Sequence, residues 1–153
     1  MKKEQFANNV DKDSLLKLDN QLCFAIYACA KQITSLYRPF LEEIGLTYTQ
    51  YITLLVLWER DDLTLKELGE KLFLDSGTLT PVLKKMEAAG YLRRQRSRED
   101  ERNLCIKLTD KGRKLKEVAC EIPVKVACSS DISVEEGVDL REKLKALLNR
   151  LAR

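Results

Sequence analysis

The sequence predicts a mainly α-helical chain carrying one small β-hairpin, and three observations predict it. Apolar residues recur at helical spacing along most of its 153 residues. Three short runs, "TYTQ" from Thr47, "TLKE" from Thr64 and "SVEE" from Ser133, have the form of capping boxes that open helices. Between Tyr91 and Leu108 the period shortens, so that "YLRRQR" and "NLCIKL" read as strands around a polar "SREDER". The length suits one domain with a real core.

Taken in order, Leu15, Leu18, Leu22, Phe24 and Ile26 predict a helix from Asp13 to about Lys31, and the pattern continues through Ile33 and Leu36 towards Pro39. Thr47 and Gln50 cap a helix over "YITLLVLWER", and Thr64 and Glu67 cap a short one over "LKELGEKLF". Leu65, Leu68 and Leu72 pack that short helix. After "FLDSG", Leu79, Val82, Leu83 and Met86 form the buried face of another. Pro81 sits awkwardly there, so this helix either starts near Gly77 or bends at Pro81. The hairpin follows, without the Asn-Gly signal of the tightest turns. Thr109 then caps a helix to about Ile122. A last helix after Ser133 carries Leu140, Leu144, Leu147, Leu148 and Leu151 on one stripe.

Composition excludes several function classes. No apolar run approaches the roughly eighteen residues of a membrane span, and "MKKEQFANNVDKD" lacks the apolar stretch of a secretory signal, which places the protein in the cytoplasm. Five cysteines with no CxxC pair and no histidine argue against a zinc site, and no cofactor is expected. The absence of histidine removes the commonest hydrolase triads, so an enzyme is not expected. The net charge of +3 says little until its placement is known.

Two short helices at a sharp turn followed by a hairpin is the pattern of a winged helix-turn-helix. The second helix would present Ser76, Thr78, Thr80, Lys84 and Lys85, hydroxyls to reach bases or phosphates and lysines to neutralise phosphate charge. The hairpin holds Arg93, Arg94, Arg96, Arg98 and Arg102, and a tip arginine suits a narrow A·T minor groove. Interleaved with Glu99, Asp100 and Glu101, such a run taken alone is a solvated surface. Joined to the helix pair, it points to DNA.

The stretch from "LTLKELGEKL" through "DSGTLTP", "LKKME" and "REDER" to "KLTDKG" resembles the core of the MarR family of bacterial transcriptional regulators. The resemblance implies a single chain over 1–153. Within it, 47–108 forms the winged DNA-binding part, and 13–46 with 109–153 supply helices that build a homodimer. Asp100 and Arg102 match the family's wing motif, in which the arginine enters the minor groove and the aspartate buttresses it. A symmetric dimer of this kind reads a pseudo-palindromic site in double-stranded DNA.

Within the family, "LDNQLCFAIYACAKQITSLYRPFLEEIGLTYTQY" resembles the organic hydroperoxide resistance regulators, OhrR. The resemblance makes Cys23 the redox-sensing residue, with Tyr37 and Tyr48 reaching it across the dimer interface. Tyr27 follows Cys23 by one helical turn and can lie on the same face. A thiolate is the attacking species, phenols donate hydrogen bonds without adding charge, and Leu22, Phe24 and Ile26 suit an organic hydroperoxide. "EIPVKVACSS" resembles the segment that carries a resolving cysteine in two-cysteine members, which makes Cys128 the candidate and Cys120 the fallback. The alternative end state is a mixed disulfide with a low-molecular-weight thiol. Cys29, Cys105 and Cys120 read as buried, inert small hydrophobes. Two other functions stay open: a MarR-type repressor answering a small aromatic ligand, with Cys23 incidental, and a thiol peroxidase, which would leave the basic hairpin unexplained.

Overall fold

The computed structural model describes residues 11–96 and 104–151, which divide between Leu36 and Tyr37 into two compact units. In the first unit, α1 (Lys12–Leu15) opens on the Asp11 side chain, which accepts the Asp13 amide at 3.2 Å. A single 3-10 turn follows at Leu18–Asn20, and α2 (Leu22–Glu43) begins only after it. The continuous helix expected from Asp13 is therefore broken. The reason is local competition for carbonyls. Asn20 Nδ2 donates to the Ser14 carbonyl at 2.7 Å, and Gln21 Nε2 donates to that of Leu15 at 2.5 Å. Side-chain amides thus occupy acceptors that an unbroken helix would have filled from its backbone.

In the second unit, the end of α2 leads through Gly45, at φ +69°, to α3 (Tyr48–Glu59). The expected capping box is present: the Thr47 amide donates to Gln50 Oε1 at 2.8 Å, and the Gln50 amide to Thr47 Oγ1 at 3.4 Å. A two-residue strand β1 (Leu63–Thr64) precedes α4 (Leu65–Leu72), whose Thr64–Glu67 box is also closed in both directions. The helix α5 (Ser76–Ala88) carries Pro81 in its sixth position and runs on past it. Strands β2 (Leu92–Arg96) and β3 (Leu104–Leu108) form the hairpin, and β1 adds to its far side in the antiparallel order β1-β3-β2. Two residues carry no readable period, which is why β1 escapes the sequence pattern.

The helix expected from Thr109 to about Ile122 is α6 (Asp110–Ala119), and a further short helix, α7 (Ile122–Cys128), follows it. Pro123 explains the break: it has no amide to offer the Ala119 carbonyl and its ring would collide with it. The last helix, α8 (Val134–Leu151), opens on the expected Ser133–Glu136 box.

The core of the second unit packs α3, α4 and α5 beneath the sheet, with Leu54, Leu68, Leu79, Leu83, Met86 and Ile106 fully buried. One backbone conformation and one close approach shape the turn between α4 and α5. Phe73 ends α4 in a left-handed conformation, and a Cβ on Gly69 would stand 2.7 Å from the Leu74 carbonyl oxygen, so only glycine allows this turn. Asp61 ties the sheet to α6 by accepting the Leu108 amide at 2.8 Å and Arg113 Nη2 at 2.6 Å.

Candidate DNA interface and redox residues

The first turn of α5 is built by Asp75. Its carboxylate accepts the Thr78 amide at 2.9 Å and the Thr78 hydroxyl at 2.8 Å. Those two bonds, the amide foremost, hold the Asp75 carboxyl below the usual range. The cap has a chemical consequence. Thr78 has committed its hydroxyl proton, so towards any outside partner it is an acceptor. Thr80 is in the same position, because its hydroxyl donates to the Ser76 carbonyl at 2.6 Å. An acceptor suits the amino groups of adenine or cytosine.

Ser76, Thr78, Lys84 and Lys85 are exposed along α5 and Thr80 is half-buried, so the five expected residues share one helix. Lys84 and Lys85 make no ion pair among the described residues. On the hairpin, Arg96 is exposed at the end of β2. Arg94 differs: it is paired with Glu87 of α5 at 2.7 Å and its side chain is only 21% exposed. Asp100 and Arg102 lie outside the described residues.

Cys23 is the second residue of α2 and is exposed, as is Tyr27 one turn later. In the second unit Tyr37 and Tyr48 come together, ring centroids 5.3 Å apart and nearly edge-to-face. Tyr51 completes the group at 5.8 Å from Tyr37 and 6.5 Å from Tyr48. Burial raises all three phenols above their ordinary value, with neighbouring phenols adding to the effect at Tyr48 and Tyr51. At neutral pH all three are protonated and can act as hydrogen-bond donors, and burial only strengthens that preference. Tyr51 and Glu87 were missed by sequence reasoning. A signal for Tyr51 exists in its position three residues after Tyr48; Glu87 has none, because its partner lies beyond a turn.

Cys128 ends α7 and is exposed. The expectation that Cys29 and Cys120 are buried is corrected: both are exposed, and Cys105 is half-buried in β3. Cys29 lies on the open face of α2. Cys120 lies at the end of α6, where its thiol meets the Glu117 carbonyl at 3.0 Å. Among the described residues no group of three acidic, cysteine or histidine side chains could hold a metal ion, and no helix is long and apolar enough to cross a membrane.

A short helix pair with an exposed polar second helix, followed by an antiparallel hairpin, defines a winged helix-turn-helix of the DNA-binding type. The transcriptional regulator SarA/Rot family matches residues 35–118. The organic hydroperoxide resistance transcriptional regulator of Bacillus subtilis is 48% identical over 136 residues, covering 89% of this chain and 92% of its own. AbfR of Staphylococcus epidermidis is similar in three states. Reduced and bound to DNA, it is 37% identical with a TM-score of 0.73, and each chain is covered in full, at 100%. Overoxidized and bound to DNA, it is 35% identical with a TM-score of 0.72 over 99% of both chains. In its disulfide form the values are 36% and 0.61, over 92% of this chain and 96% of the other. The chain belongs to the MarR family of transcriptional regulators, in the branch of the organic hydroperoxide resistance regulators.

Proposed function

We propose that this regulator represses by binding a pseudo-palindromic operator as a homodimer, senses organic hydroperoxide at Cys23, and leaves the DNA when Cys23 enters a disulfide. The observation that carries the reading is the trio Tyr37, Tyr48 and Tyr51, three phenols whose ring centroids gather within 6.5 Å of one another. Such donors favour a thiolate over a thiol when presented to one by a partner subunit. The apolar residues Leu22 and Phe24 beside Cys23 favour an organic peroxide.

The thiolate attacks the outer oxygen of the hydroperoxide and the O–O bond breaks. The sulfur becomes a sulfenic acid, and the alcohol leaves after taking up a proton. A second thiol then displaces water to form the disulfide, with Cys128 of the other protomer or a low-molecular-weight thiol as donor. AbfR supports the second step as the decisive one, since its overoxidized form is bound to DNA. The dimer is supported by apolar side chains left open in the single chain. Leu15, Leu16 and Leu18 stand before α2, and Leu140, Leu144, Leu148 and Leu151 line α8. Emptying a nearly full operator requires about 5 kcal/mol of differential affinity.

The test is binding of DNA from the regulator's own promoter, followed by fluorescence anisotropy before and after stoichiometric cumene hydroperoxide, for wild type, Cys23→Ser and Cys128→Ser. Release by wild type alone, reversed by a reducing thiol, supports both cysteine roles. Release by Cys128→Ser only when a low-molecular-weight thiol is added moves the end state to a mixed disulfide. If Cys23→Ser is released as readily as wild type, peroxide sensing by Cys23 is wrong and the reading that answers a small aromatic ligand replaces it.

A further inference from the structure

Glu87 stands in the last turn of α5 and Arg94 at the centre of β2. One carboxylate oxygen of Glu87 accepts the Arg94 amide at 2.8 Å; the other accepts Arg94 Nε at 2.8 Å and Nη2 at 2.7 Å. Three donors from one residue meet one carboxylate, so backbone and side chain of β2 are both tied to the helix. The amide and the guanidinium together keep the Glu87 carboxyl below its ordinary range. On the strand ladder Arg94 lies opposite Ile106, which is fully buried, so the tie fastens the edge strand β2 where it covers packed core.

This geometry sets two roles for Arg94 against each other. As one of a run of arginines it reads as a phosphate ligand. Yet a guanidinium with two contacts to a half-buried carboxylate reaches a phosphate only by leaving that partner. We propose that Glu87 and Arg94 are positioning residues: the pair sets the angle of the hairpin to α5, so that helix and hairpin enter adjacent grooves as one rigid piece. The inference rests on DNA binding by α5 and the hairpin. It adds that specificity depends on a carboxylate that touches no DNA.

The two roles predict opposite signs. Glu87→Gln removes one negative charge per protomer and loosens an arginine. If Arg94 binds phosphate, that change tightens binding to any DNA. If the pair is a clamp, operator binding weakens by about tenfold, the usual effect of losing a charge-assisted bond, while random-sequence DNA binds as well as before or better. Anisotropy with full-length reduced protein, on promoter DNA and on random duplex of equal length, reads both affinities. The exchanged variant Glu87→Arg with Arg94→Glu restores a guanidinium–carboxylate pair but leaves the amide of residue 94 without its acceptor, so it is expected to recover part of the operator preference. Retained binding to random DNA shows in the same experiment that the variants are folded. Equal or tighter operator binding by Glu87→Gln overturns the clamp. A wild type that fails to prefer promoter DNA would overturn the parent reading, and the clamp with it.

Discussion

Trp58 and Gly112 are joined by a hydrogen bond from the indole Nε1 to the glycine carbonyl oxygen, 2.9 Å long and spanning 54 positions of sequence. It fixes α3 against the first turn of α6. A Cβ at Gly112 would lie 2.0 Å from the Tyr91 carbonyl oxygen, so α6 also rests directly on the backbone leading into β2. The platform under the hairpin is thus made by one glycine and one indole.

Gly112→Ala is expected to destabilise the protein by about 3 kcal/mol or more, because the obstacle is backbone and cannot turn aside. Trp58→Phe loses one bond and is expected to cost about 1 kcal/mol. Denaturant midpoints with unchanged slope would show both. A wild-type midpoint for Gly112→Ala would mean that α6 is not seated on Tyr91.

The cap of α5 predicts a pH dependence. The Asp75 carboxyl is held below its usual range, so its contribution is complete above that range and fades as pH falls through the depressed value. The window lies below about pH 4. Wild type is expected to lose stability there more steeply than Asp75→Asn, whose side chain does not titrate. Parallel acid melts for the two proteins would remove the cap from the account.

The tyrosine trio predicts the opposite window. Burial raises these phenols, so their contribution is complete up to about pH 10, the ordinary value, and is lost as pH rises further. Titration followed by tyrosinate absorbance should show a late group that shrinks in Tyr51→Phe. Under the proposed function, Tyr48→Phe would slow the reaction of Cys23 with cumene hydroperoxide about tenfold and leave operator affinity of the reduced protein unchanged.

Lys84 and Lys85 predict a salt effect. Each replacement by alanine is expected to flatten the dependence of binding on salt by about one unit per half-site, for operator and random DNA alike. A slope equal to that of wild type would place the lysine away from the phosphates.

Much of this was legible before any coordinates. The three capping boxes, the buried faces of α4 and α5, and the hairpin follow from contacts within a few residues. The failures were of two kinds. At Asn20 and Gln21 side chains outcompeted the helix backbone, and the seven residues of α7 are too few for a helical period to stand out. The exposure of Cys29 and Cys120 was misjudged because cysteine is buried on average, and an average does not fix one position.

By itself the sequence determined most of the helices and the basic hairpin, because period, caps and charge act over one or two turns, and the likeness of its motifs to known regulators pointed to the family. Only the tertiary structure decided which arginine is bound to Glu87, why Gly112 must be glycine, and that Tyr51 joins Tyr37 and Tyr48. Those facts depend on which surfaces meet when the chain collapses. Contacts between distant residues leave no period in the sequence to announce them.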